Sequence, residues 1–259
     1  MVQFVPGAAA KTLPTMFDLP SENPEDPGLP DEYHLRQLPI LHQTCRPPVC
    51  SPEQVFTAGD LHVYYDPEHL NWYKRPDWFV VVGVPKLYRQ QYLRQSYVVW
   101  DEGVAPLMVI EFLSPGTEAE DLGKTQREPG TPPTKWQVYE QILQIPYYAV
   151  FDSETSQLRG FQLQAGSYQE VTISGQGWWI EPLQLGLGVW QGRCDGAERT
   201  WLRWYDQQGR WIPTQEELTE QERMQKEQAQ QRAEQAQQRA EQLAAYLRSL
   251  GIDPDDIAP

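Results

Sequence analysis

Apolar positions along this chain fall into short continuous runs separated by polar, Pro- and Gly-rich breaks, with two stretches of helical spacing. Asp31 to His42 predicts a helix with Leu35, Leu38 and Leu41 on one stripe. Gln54 to Asp66 predicts a strand that alternates in its second half. The runs at 77–84 and 106–113 are apolar almost throughout, as in strands covered on both faces. Lys135 to Leu143 has helical spacing and leads into a further apolar strand at 146–152. A meander follows, with strands expected at Leu158–Leu163, Tyr168–Ile173, Trp178–Ile180 and Thr200–Tyr205, extending the sheet antiparallel at one edge.

From Thr214 a long helix is expected, with Thr214 as N-cap and Glu217 in capping-box spacing. It contains a tandem repeat, Glu227 to Ala233 and Glu234 to Ala240. Ala229, Ala233, Ala236, Ala240, Leu243 and Leu247 alternate by four and three, which is a heptad seam. Alanine buries little area, so the seam is weak before Leu243. Arg232, Arg239, Gln230 and Gln237 flank it and provide no charge pairing that would select a partner. The helix reads either as a solvated single helix packed on its own domain or as a short coiled coil joining two protomers. The expected organisation is an extended, acidic, Pro-rich arm (1–30), an α/β domain with a mixed sheet flanked by helices (31–213), the helix (214–250) and a tail (251–259).

Two acids disturb the apolar runs. Glu111 lies inside the run from Pro106 to Leu113, where an ionised carboxylate costs several kcal/mol, roughly, unless a cation or donors face it. Asp77 opens the other run directly after Pro76, which fixes the approach of the chain. Lys135 and Tyr139 are four apart and share one helical face. Singly, each has an ordinary explanation: a turn aspartate, a buried ion pair, a solvated lysine. Together, two carboxylates on neighbouring strands and one lysine are the minimum set for metal-assisted phosphodiester hydrolysis.

The segment from Asp31 to Asp152 resembles the PD-(D/E)xK nuclease superfamily, in its bacterial restriction endonuclease branch. The resemblance rests on Pro76-Asp77, on Val109-Ile110-Glu111-Phe112-Leu113-Ser114-Pro115-Gly116-Thr117, on Asp121, on Lys135 with Tyr139, and on Ile145-Pro146-Tyr147-Tyr148. It implies a restriction-endonuclease-like fold and Mg²⁺ (or Mn²⁺) held by Asp77, Glu111 and the backbone carbonyl of Phe112. Lys135 would act with Asp77 and Glu111 in cleaving DNA. The superfamily places its lysine two residues after the second acid, but that position is Leu113. The cation is therefore expected from the following helix as Lys135, with Lys124 as competitor. Leu122 to Thr134 reads as an inserted loop, either a substrate-contacting flap or surface decoration. Related nucleases often carry another acid on the first helix, for which Glu32 is the candidate. His34 and His42 are expected in core or surface roles.

Composition constrains the reading. At 259 residues, one α/β domain and an appendage are expected, with a core rich in aromatics from 10 Trp and 13 Tyr. No apolar run approaches the roughly 20 residues of a membrane span, and three cysteines leave one unpaired under any disulfide scheme, so a cytoplasmic location is expected. A net charge of −15 and a pI near 4.7 oppose long-range attraction to DNA, which allows only weak or regulated binding. Lys74, Arg75, Lys86, Arg89 and Arg94 offer a modest basic cluster or a solvated loop. The alternative to a nuclease is a catalytically silent nuclease-fold module that assembles, as a homodimer, through its C-terminal coiled coil.

Overall fold

The computed structural model describes residues 13–19, 31–114, 118–128, 130–194 and 196–251. The acidic stretch 21–26 and the tail beyond Gly251 lie outside them. The chain divides into two units, Met1–Ile212 and Pro213–Pro259.

The first unit begins with helix α1, Glu32–Thr44, capped by Asp31, whose side chain accepts the His34 N–H. Its buried residues are His34, Gln37, Ile40, Leu41 and Thr44. The stripe is therefore rotated from the leucine pattern, and Leu35 is exposed. The cause is Gln37, whose amide donates to the Leu202 carbonyl and accepts the Leu202 N–H, so a polar residue takes the centre of the buried face.

The run read as one strand at 54–66 is two, β1 (Val55–Ala58) and β2 (Val63–Tyr64). Between them Asp60 has a φ of 54° and is tied to Arg75 at 2.6 Å, and this turn breaks the strand. Then come β3 (Tyr73–Lys74), β4 (Trp78–Val82), β5 (Tyr97–Val98), the short helix α2 (Val99–Glu102) and β6 (Met108–Phe112). Helix α3 (Glu118–Asp121), the insert, and helix α4 (Lys135–Gln137), which continues as a π-helical turn over Val138–Ile142, lead into β7 (Tyr147–Asp152). Strands β8 (Gln157–Gln164), β9 (Ser167–Val171), β10 (Gly177–Ile180), β11 (Leu185–Cys194) and β12 (Ala197–Tyr205) complete the unit.

The main sheet has six strands in the order β1-β4-β6-β7-β8-β9. Only β6 and β7 are parallel. Parallel neighbours need a crossover, and α3, the insert and α4 supply it. Because side chains alternate across a strand, Met108, Ile110 and Phe112 enter one core with Leu41, Leu202 and Trp204. Val109 faces the other core with Val138, Tyr139 and Tyr148. Glu111, two residues on from Val109, therefore points at the crossover helix. The antiparallel register of β4 with β6 pairs Trp78 with Ile110, which brings Asp77 beside Glu111.

Of the meander, β8 and β9 do extend the main sheet. The expectation that every later strand would do so is corrected: β10, β11 and β12 form a separate three-stranded sheet. It closes one core with Trp178, Ile180, Leu187 and Trp204. Strand β11 escaped the hydrophobic pattern because Gly186 and Gly188 lie against the Tyr205 ring, where a larger residue has no room. A third sheet orders β3-β2-β5. Near the start of the chain, Met16 and Leu19 are buried, and Trp100 Nε1 donates to the Pro14 carbonyl.

The second unit is helix α5, Gln215–Ser249, with the Thr214–Glu217 capping box formed in both directions. Gln230 donates to Glu234 and Gln237 to Glu241, both along the helix, and Leu243, Tyr246 and Leu250 are exposed.

A Cβ on Gly177 would meet the Leu187 carbonyl oxygen at 2.2 Å and the Gly188 Cα at 2.6 Å, both backbone atoms that cannot swing aside. Gly177→Ala should therefore cost about 1–3 kcal/mol in urea unfolding. An unchanged midpoint would show that the β10–β11 pairing is looser than described.

Candidate functional site

Glu111 is fully buried, and three donors converge on it. Lys135 Nζ donates to its Oε2 at 2.9 Å, Tyr139 Oη to its Oε1 at 2.8 Å, and the Asp77 N–H to its Oε2 at 3.2 Å. Asp77 in turn accepts the Phe112 N–H at 2.6 Å. The ends of β4 and β6 are thus stitched together by their own acidic side chains. Lys135 also lies 3.1 Å from Asp121 Oδ1, so its ammonium bridges two buried carboxylates. The Thr134–Gln137 capping box starts α4 at the residue that aims Lys135 inward.

Electrostatically, one ammonium faces three carboxylates, Glu111, Asp121 and Asp77. Burial raises Glu111 to about 7, with Asp77 adding to the rise and Lys135 opposing it. Burial likewise raises Asp77 to about 6, against the pull of Lys135 and the Phe112 N–H. Burial alone would weaken the Lys135 charge, but Glu111, Asp121 and Asp77 outweigh it and hold the ammonium above its ordinary range. Burial is the main cause of the two carboxyl shifts, and the three carboxylates around one ammonium are the cause of the lysine's.

Beyond the expected Asp77, Glu111, Phe112 and Lys135, the structure brings three residues to the site. Asp121, quoted only for the resemblance, is completely buried, with Tyr148 Oη donating to its backbone carbonyl. Tyr139, noted for its spacing, is a donor to Glu111. His34 lies in the buried layer behind the acids. Its Nδ1 is 2.7 Å from Asp31 Oδ1, and its Nε2 is 3.4 Å from the Phe112 carbonyl and 3.9 Å from Asp77 Oδ2. The readable signal was Asp31 as N-cap with His34 three residues on. Glu32, the expected extra acid, is instead exposed and bonded to Arg36, one turn along its own helix.

Lys124 is exposed and lies 3.7 Å from Glu118. The basic cluster is dispersed: Lys74 pairs with Glu120, Arg75 with Asp60, and Arg94 is buried against Glu102 at 2.6 Å. The insert docks back on the domain, with Arg127 Nη2 donating to Glu120 at 2.6 Å.

Could these residues hold a metal? Among the described residues no group of three or more His, Cys, Asp or Glu side chains forms a metal site. Asp77, Glu111 and the Phe112 carbonyl are hard oxygen donors in a site with excess negative charge. Such a set suits a magnesium-like ion, which is commonly held by one or two carboxylates and keeps several waters.

An α/β fold with a mixed central sheet, two strand-end carboxylates and a lysine on the crossover defines a nuclease-like protein of the PD-(D/E)xK kind. The family model Uma2, described as "Putative restriction endonuclease", matches residues 25–195, and the chain belongs to that family. Among solved structures, it is similar to one described as a "putative nuclease belonging to DUF820" from Anabaena variabilis ATCC 29413, at 11% identity and a TM-score of 0.38. That similarity covers 57% of this chain and 73% of the other. No curated protein matches the chain.

A carboxyl whose pKa is higher folded than unfolded adds stability that is complete below the unfolded value and is lost as pH rises through the folded one. Glu111 and Asp77 should therefore make the metal-free protein less stable between about pH 4 and pH 7. Glu111→Gln should flatten this decline, measured as urea midpoint against pH. A variant with the wild-type slope would show that Glu111 does not titrate in that window.

Proposed function

We propose that this protein is a metal-dependent endodeoxyribonuclease, with Asp77, Glu111 and Lys135 as its catalytic residues. The observation that carries this is the shared ammonium: Lys135 Nζ sits 2.9 Å from Glu111 and 3.1 Å from Asp121, with Asp77 adjacent. Asp77, Glu111 and the Phe112 carbonyl would hold Mg²⁺ or Mn²⁺. Such an ion, when bound, neutralises phosphate charge and acidifies a water. The protein's own contribution is positional. Tyr139 fixes one Glu111 oxygen, the Phe112 N–H fixes Asp77, and Lys135 is held charged where it can orient the attacking water and face the charge that develops on the phosphate. Family membership supports the nuclease class. No helix among the described residues is long and apolar enough to cross a membrane, which is compatible with a cytoplasmic protein acting on DNA. We assign α5 to a homodimeric coiled coil, since Leu243 of its seam is exposed and Leu247 half-buried in the single chain.

One observation favours a second reading. Lys135 Nζ contacts both Glu111 and Asp121, an ion-pair arrangement that a silent module that kept the fold would also use.

The functional test compares Lys135→Met with Lys124→Met on supercoiled plasmid in Mn²⁺. Lys135→Met should lose about 10²–10⁴ in rate, while Lys124→Met stays near wild type. The reverse result would move the catalytic cation into the insert. For assembly, deleting Pro213 onward should leave the sheet unit folded and halve the light-scattering mass. An unchanged mass would remove the coiled-coil dimer.

A further inference from the structure

Beside Lys135 the structure gathers a second group of charges that the cleavage chemistry does not use. Glu120 accepts from Lys74 Nζ at 3.4 Å, from Arg127 Nη2 at 2.6 Å and from the Lys135 backbone N–H at 3.0 Å. Lys74 comes from β3 and is 8% exposed, whereas Arg127 comes from the insert and its side chain is 34% exposed. Burial alone would raise Glu120, but Lys74, the Lys135 amide and Arg127 outweigh it and hold the carboxyl below its ordinary value. These surroundings suit a partly buried oxyanion. A guanidinium and an ammonium facing one carboxylate present the donors that a phosphate also takes.

Tyr65 supplies an independent observation. It follows β2, the strand paired with β3, and is 6% exposed, yet its hydroxyl has no hydrogen-bond partner among the described residues. That hydroxyl feels the charges of both Arg127 and Glu120. A buried hydroxyl left unpaired is destabilising. The free protein therefore holds a buried donor within the field of Arg127, Glu120 and Asp66, with no acceptor for it among the described residues.

We propose that Tyr65, Lys74 and Arg127 form a phosphate subsite for the DNA backbone, next to the Lys135 centre. Glu120 occupies this subsite in the free protein. The proposal rests on the reading of DNA as substrate and adds where the strand is gripped. It also reconciles a net charge of −15 with DNA binding. The gripping cations are local and shared with Glu120, so an incoming phosphate must compete with a resident carboxylate, and binding is weak.

The test is fluorescence anisotropy of a short labelled DNA duplex with the full chain in metal-free buffer across a salt series, alongside melting temperatures. Tyr65→Phe should leave melting unchanged or raise it, because no described residue accepts from the hydroxyl. It should nonetheless weaken DNA binding about 3- to 10-fold, the worth of one hydrogen bond. Arg127→Gln should lower the slope of log affinity against log salt by about 0.9, one phosphate contact. Glu120→Gln, which removes the competing charge, should tighten binding several-fold. Wild-type affinity and slope in both Tyr65→Phe and Arg127→Gln would overturn the subsite. If Lys135→Met still abolished cleavage, the nuclease reading would stand without it. Failure of the wild type to bind duplex DNA, with binding to RNA of equal length, would overturn DNA as the ligand. Failure to bind either would overturn the subsite altogether.

Discussion

The site depends on a carboxylate placed where the fold can least solvate it. Glu111 sits at the end of β6 on the face that packs against the crossover, and every nearby feature answers its charge. Lys135, Tyr139 and the Asp77 N–H each donate to it, the first two from a helix start and the π-helical turn that continues it, the third from a strand entrance far earlier in the sequence. Removing one donor would leave a buried acceptor short of a partner, at about 1–3 kcal/mol. The same demand fixes geometry. β4 must enter antiparallel beside the end of β6, and the crossover must return with α4 starting where Lys135 can reach inward.

Those donors do not balance the charge. Asp77 and Asp121 add carboxylates beside Glu111, and a single lysine serves all three. A structural ion pair would be better off with fewer acids. Burial raises both Asp77 and Glu111 and the neighbouring acids add to the rise, an excess of negative charge that a divalent cation would relieve. The stability lost to this cluster is thus tied to the chemistry proposed for it.

Much of this was legible in the sequence, for definite reasons. Glu111 and Asp77 stood out because an acid in an apolar run is costly, and Lys135 with Tyr139 because four residues make one helical face. What the sequence hid was set by tertiary contacts. His34 carried one local signal, the Asp31 N-cap three residues before it, but its place against Phe112 follows only from the packing of α1. Gln37 displaced Leu35 from the buried face by bonding the Leu202 backbone, which no periodicity reveals. Strand β11 was masked by glycines whose purpose is to admit the Tyr205 ring. The basic cluster looked available because its partners Glu120, Asp60 and Glu102 are remote or unremarkable in sequence.

The most direct test of the central claim is isothermal calorimetry of Mn²⁺ into the metal-free wild type and Glu111→Gln, in buffers of different ionisation enthalpy near pH 6. If the crowded carboxylates form a cation site, the wild type should bind the ion and release protons, because Glu111 and Asp77 are held near 7 and 6 by burial. Binding should disappear in Glu111→Gln. Absence of binding heat in the wild type, or an unchanged isotherm in Glu111→Gln, would contradict it and leave the Glu111–Lys135–Asp121 cluster as an ion-pair network of structural purpose only.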